Sequence, residues 1–214
     1  TQQWDEISSL VAESSLIPFF DFAYQGFGNG IEEDAYAIRA MARRGVPCLV
    51  ANSFSKNFAL YGERCGALTF VCPTPEQAEL TFAEMVNTVR ANYSNPPSHG
   101  AYIIGNVLLN SRLYELWRGE VERMRIRLQS MRTALIEVLE RNNHGNRFRH
   151  LLETRGMFAL TGFNARQIES LRDEFAIYLV DSGRLCFSGL NANNVEWVAG
   201  SLAQVSTEQN LIFG

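Results

Sequence analysis

No pair of the four cysteines, Cys48, Cys65, Cys72 and Cys186, is spaced Cys-x-x-Cys, so neither a zinc ligand set nor a disulfide framework is suggested. No metal is expected, and reducing, cytoplasmic conditions are the natural setting. Apolar runs stay far below membrane-span length, and the opening TQQWDEISSLV holds no signal-peptide apolar core. Excess basic charge is missing too. The net charge of −4 gives no footprint for nucleic acid or anionic lipid. Internal repeats and low-complexity stretches are absent.

What is present is an alternation of strands and amphipathic helices. A chain of 214 residues can bury a full core as one large or two small domains. Trp4, Ile7, Leu10 and Val11 fall on one helical face, followed by IPFFD as a short buried run ending at Asp21. EEDAYAIRAMARRG predicts a helix with acids in its first turn, a stripe of Ala35, Ile38, Met41 and Ala42, and a stop at Gly45. PCLVA and GALTFVC read as strands, and TPEQAELTFAEMVNTVRA as a helix opened by Thr74 and Pro75. This β-α-β-α order predicts an α/β fold with a mostly parallel sheet and flanking helices. From Ser111 to Arg141 one long helical pattern runs past the usual globular length. Beyond it, GMFALTGF, ARQIESLRDEF, IYLV, RLCFSGL and NANNVEWVAGSLAQV predict a smaller α+β lobe. The expected division is 1–110, a connecting helix 111–141, and 142–214.

Residues 52–66, NSFSKNFALYGERCG, place one lysine in a serine-rich turn after an apolar strand. The C-terminal ends of strands are where open α/β sheets bind ligands. An amine is nucleophilic only when neutral, and it needs a carbonyl partner to form a Schiff base. Ser53, Ser55 and Arg64 suit a phosphate. Amine and phosphate site together suggest pyridoxal phosphate, although spacing alone favours a solvated Lys56 and a surface ion pair for Arg64.

SFSKNFALYGERCG resembles the cofactor-lysine segment of the class I, fold-type I pyridoxal-phosphate aminotransferases, in the aspartate and aromatic branch. PFFDFAYQGFGNG, RANYSNPPSHGA, RGMFALTGF and SGRLCFSGL recur in family order, and only the final STEQNLIFG finds no counterpart. The resemblance implies that Lys56 carries pyridoxal 5'-phosphate and then acts as general acid and base. It implies that Asp21 pairs with the pyridinium nitrogen, that Tyr24 bonds the ring oxygen, and that Ser53, Ser55 and Arg64 hold the phosphate. By themselves, Asp21 reads first as a helix- or turn-capping residue and Tyr24 as a half-buried loop aromatic.

For substrate, the resemblance implies that Arg184 clamps the α-carboxylate and that Phe158 lies nearby. Without it, Arg184 is a strand-end arginine and Phe158 core packing. Arg90 is implied to reach the neighbouring subunit's site in a homodimer and pair with a second carboxylate, where its local reading is a helix-end arginine. Asn95 and His99 lean toward aspartate-preferring members and RLCFSGLNANNV toward aromatic ones. Residues 1–110 then correspond to the C-terminal part of the large cofactor-binding domain and 142–214 to the small domain. The family's chain begins well before TQQW, so an N-terminal half, as a possible separate chain, is an expected partner. Without that half, a broken sheet edge and bare apolar faces are expected. The implied activity is transamination between aspartate, or a related amino acid, and 2-oxoglutarate. The alternatives are an aromatic aminotransferase, an inactive fragment or a non-catalytic binding module.

Overall fold

The computed structural model describes residues 2–14 and 16–207, so most of the STEQNLIFG tail lies outside it. The chain divides into two compact units, Thr1–Glu122 and Arg123–Gly214.

The first unit runs α1 (Gln2–Glu13), β1 (Phe19–Phe22), α2 (Ile31–Asp34), α3 (Tyr36–Arg43), β2 (Cys48–Ser53), β3 (Gly66–Val71), α4 (Pro75–Asn92), α5 (His99–Leu109) and the start of α6 (Ser111–Arg141). Its sheet has the order β1-β2-β3. Pairing is parallel between β1 and β2 and antiparallel between β2 and β3. The three described strands therefore form a mixed sheet rather than a mostly parallel one. The cause is the connection: residues 54–65 contain no crossover helix, and a parallel return requires one.

Strand alternation divides the sheet into two faces. Cys48 and Val50 point into a core with Met41 and Val46, against which Phe20, Phe22, Ile38 and Val71 pack. Each such fully buried side chain contributes about 1.5–3 kcal/mol, well above the ~1 kcal/mol ceiling of most exposed ion pairs. The opposite face carries Phe19 and Leu68, 64% and 51% exposed. IPFFD is thus not a buried run: β1 is an edge strand, and only its Phe20 and Phe22 side meets the core.

The helix α1 forms where its periodicity places it, yet it packs through its polar side. Ser8 is buried, while Trp4, Ile7 and Leu10 are exposed. The Tyr36 hydroxyl donates to both Asp5 carboxylate oxygens at 2.8 and 2.9 Å, and Arg44 donates to the Asp5 carbonyl at 2.8 Å. Short polar side chains let α1 approach α3 closely enough for these bonds. Of the expected stripe, Val11 reaches the core. In the next helix, Ala35 separates α2 from α3, and Ala37, Ala40 and Met41 are the buried residues. Ala42 is exposed. Thr74 caps α4 by accepting from the Gln77 N–H at 3.3 Å, with Pro75 at the first helical position.

The helix α6 is 31 residues long, roughly 46 Å at 1.5 Å per residue. The second unit continues from it with α7 (Gly145–Phe148), α8 (His150–Glu153), β4 (Phe158–Leu160), α9 (Ala165–Phe175), β5 (Arg184–Cys186), a 3-10 turn (Phe187–Gly189) and α10 (Val195–Thr207). A reciprocal Asn164–Gln167 capping box starts α9, with both bonds at 3.1 Å. The antiparallel β4–β5 pair belongs with a core of Leu135, Leu139, Phe148, Leu151, Leu171, Phe187 and Leu202, all buried to 0% exposure. Among the described residues no helix is long and apolar enough to cross a membrane, and all four cysteines are free.

Candidate active site

The parallel pairing of β1 and β2 brings their C-terminal ends side by side. Asp21 lies across from Ala51, and Ser53 is two residues farther along β2. Alternation puts Asp21, Ala51 and Ser53 on the face away from the Met41 core. The ladder closes at Ser53 opposite Gly66. A Cβ on residue 66 would lie 2.5 Å from the Asn52 carbonyl oxygen, so glycine is what permits the close approach that holds Ser53.

Beyond β1 the glycine-rich loop is tied to one carboxylate. Asp34 accepts from the backbone N–H groups of Gly26 at 2.8 Å, Gly28 at 3.0 Å and Asn29 at 2.8 Å. The nest of amides that could hold an anion is thus filled internally, which fixes the chain just after Tyr24. Beyond β2, Ser53 Oγ accepts from the Ser55 N–H at 3.2 Å and donates to Ser55 Oγ at 3.1 Å. Ser55 is buried. The turn delivers Lys56, half-buried, with its Nζ 4.5 Å from the centre of the Tyr24 ring, a cation–π distance.

Arg64 closes the loop with φ of +50°, a left-handed conformation that costs a non-glycine residue on the order of 1–3 kcal/mol. Its guanidinium donates to the Tyr61 carbonyl at 3.0 Å, leaving further donors for an acidic ligand. The structure therefore brings Lys56, Tyr24, Ser53 and Ser55 together, with Asp21 on the neighbouring strand. Arg90 is placed on a different feature. It sits exposed in the last turn of α4 and lines a cleft of about 970 Å³ with Leu68, Phe70, Phe82, Val86 and Tyr93.

In the second unit, Arg184 pairs with Leu160 in the β4–β5 ladder, and its guanidinium lies 4.6 Å from the centre of the Phe158 ring. Arg184 is exposed. Thr161, which is buried, donates to the Gly183 carbonyl at 2.8 Å. Behind this pair, Arg132 is buried, donates to the Gly156 carbonyl at 2.6 Å and rests 4.4 Å from the Phe187 ring. Burial pushes its pKa down from the ordinary arginine value.

Three residues escape a motif reading. Asp34 is signalled only as a first-turn acid downstream of QGFGNG. Asn57 and Trp117 are 60 positions apart, and only the fold shows that the Trp117 indole donates to the Asn57 carbonyl at 2.8 Å. Among the described residues, no group of three or more His, Cys, Asp or Glu side chains could hold a metal ion. Burial raises the pKa of the Cys48 thiol, which suits a core residue rather than a nucleophile.

Residues 1–202 match the family described as "Aminotransferase class I and II". The chain is 49% identical over 203 residues to the tyrosine aminotransferase of Klebsiella pneumoniae, covering 95% of this chain and 51% of that protein. It is 42% identical over 202 residues to an aspartate aminotransferase of Pseudomonas aeruginosa, covering 94% and 51%. Among solved structures, the aromatic-amino-acid aminotransferase of Burkholderia pseudomallei, covalently bound to pyridoxal phosphate, superposes with a TM-score of 0.92 at 40% identity, covering 95% of this chain and 51% of that one. The chain spans about half the length of the relatives it matches.

Proposed function

Because this chain belongs to the class I and II aminotransferase family, we propose that it carries the lysine-bearing C-terminal half of a pyridoxal-phosphate-dependent transaminase. The observation that carries this reading is the Lys56 amine resting over Tyr24, at adjoining ends of two parallel strands, beside the Ser53–Ser55 turn. The donor set fits the cofactor: one primary amine for its aldehyde, two hydroxyls and a guanidinium for its phosphate, one carboxylate for its ring nitrogen. Fold-type I aminotransferase architecture supports the same reading, with 1–110 as part of the large domain, 111–141 as connecting helix and 142–214 as small domain.

When bound, pyridoxal phosphate supplies an electron sink for the pair of electrons left when a substrate α-proton departs. Lys56 Nζ would hold the cofactor by its aldehyde, and would serve as the base that takes the substrate α-proton and, once protonated, as the acid that returns it. Asp21 keeps a proton on the ring nitrogen by ion pairing, and the Tyr24 hydroxyl donates to the ring oxygen. Ser53, Ser55 and Arg64 bind the phosphate. Arg184 grips the substrate α-carboxylate, where a planar fork of donors is the matching shape, and Phe158 limits the space around Arg184. Arg90 receives the side-chain carboxylate of a dicarboxylic substrate in the partner subunit of a homodimer.

The substrates in this reading are aspartate and 2-oxoglutarate. An aromatic donor is a second reading, favoured by the tyrosine and aromatic-amino-acid relatives. Amino-group transfer to 2-oxoglutarate from aspartate and from tyrosine, measured with the protein as the cell makes it, tests both. Transfer by the parent and none by Lys56→Ala is expected. Inactivity with every donor, or full activity of Lys56→Ala, would overturn the proposal.

A further inference from the structure

We infer that Trp117 is a positioning residue for Lys56, acting through Asn57 and Phe58; this rests on the assignment of Lys56 above. The lysine loop has no regular secondary structure between β2 and β3, yet a proton-transferring amine must be held to a fraction of an ångström. Local bonds restrain the loop at its base, where the Phe54 N–H donates to the Cys65 carbonyl at 3.1 Å. Around Lys56 itself the Phe58 N–H donates to the Phe54 carbonyl and the Ala59 N–H to the Lys56 carbonyl, both at 3.2 Å, and α6 adds a tie to the chain directly after the lysine.

The Trp117 indole N–H donates to the Asn57 carbonyl at 2.8 Å. Its ring stacks on Phe58, with centroids 4.6 Å apart and planes at 23°. Phe58 in turn meets Phe54 edge to face at 5.6 Å. One helix side chain therefore fixes the two residues that follow Lys56, and through Phe58 it touches the residue two positions before it.

Asn57 extends the tie to the Tyr24 segment. Its Nδ2 donates to the Gln25 carbonyl at 3.3 Å, and Gln25 Nε2 donates to the Ile31 carbonyl at 2.9 Å. Asn57 is buried, and its Oδ1 has no hydrogen-bond partner. An apolar residue would avoid that unpaired oxygen, so a bond from Nδ2 to the Tyr24 loop accounts for an amide here. The neighbours of Lys56 and Tyr24 are thus bonded to each other, in the same place where Nζ comes within 4.5 Å of the phenol ring.

The test compares the parent holoenzyme with Trp117→Phe, which keeps a stacked ring and removes the N–H, and with Asn57→Ser, which breaks the link to Gln25. Each is read by the single-turnover rate of amino transfer, by the pH midpoint of the visible band of the lysine-bound cofactor, and by thermal unfolding. In both variants the rate should fall about tenfold, the worth of one well-placed hydrogen bond. The midpoint should move away from the parent's, and the rate should fall by more than any loss in melting temperature accounts for. An unchanged rate and midpoint in both variants would overturn the inference, as would losses that track melting temperature alone. Lys56→Ala is the control: if it keeps the visible band, the assignment of Lys56 itself fails, independently of Trp117.

Discussion

The two units are stabilised in different ways. Arg123–Gly214 closes around a continuous set of fully buried side chains, including Leu135, Leu139, Phe148, Leu171 and Leu202. Thr1–Glu122 buries fewer large ones, among them Phe27, Met41 and Ile104, and exposes Trp4, Leu10, Phe19, Leu80 and Phe82. All the candidate cofactor residues nevertheless lie in the first unit. Polar ties lie beside them: Asp34 across three backbone amides, Ser53 to Ser55, and Trp117 to Asn57. Hydrogen bonds are directional where apolar packing is not, so a thin core can still hold reactive groups accurately.

The contrast can be broken at several points. The largest effect is expected on turnover. Arg184→Ala should lower kcat/KM by about a thousandfold for every amino acid, since truncating one partner of a charge pair costs on the order of 2–5 kcal/mol. Arg90→Ala should do the same only for aspartate and glutamate. Steady-state kinetics on dicarboxylic and aromatic donors separates them, and equal losses on both classes would contradict the role given to Arg90.

Stability comes next. Leu139→Ala in the second unit should cost about 2–5 kcal/mol, whereas Leu10→Ala in the first, 62% exposed, should stay within about 0.5 kcal/mol. Denaturant unfolding measures both, and a comparable loss at Leu10 would show that α1's apolar face is covered. Asp34→Ala should cost about 2 kcal/mol, because it strips a charged acceptor from three amides, and cofactor release should accelerate along with it.

The smallest effect concerns pH. The Asp5 carboxylate, which accepts a hydrogen bond from the Tyr36 hydroxyl, holds that tyrosine's pKa above its ordinary value of 10.0. The folded state therefore keeps this proton longer than the unfolded chain. The contribution is complete below pH 10 and is lost as pH rises through the folded-state pKa. Tyr36→Phe should flatten that alkaline decline in a melting-temperature profile.

Features set by local chemistry were legible in the sequence. The Thr74–Pro75 start of α4, the full span of α6 and the serine turn before Lys56 all follow from neighbouring residues. Features set by distant partners were not. Periodicity finds α1, but which face packs depends on Tyr36 and Arg44, more than 30 positions away. The return of β3 is antiparallel because no crossover helix precedes it, whereas the element order predicts a mostly parallel sheet. The helix α5 is apolar on most sides and carries Gly100 and Gly105, so it shows no amphipathic stripe. For the site, the residue types and their order were visible, whereas the Asp34 and Trp117 supports appear only once the chain is folded.

The most direct test is borohydride reduction of the protein as the cell makes it, after saturation with pyridoxal phosphate, followed by mapping of the modified peptide. One label per chain, on Lys56 and dependent on Ser55 and Arg64, is the expected result. A label spread over other amines, or one that Ser55→Ala and Arg64→Ala leave untouched, would contradict the assignment of this loop as the cofactor site.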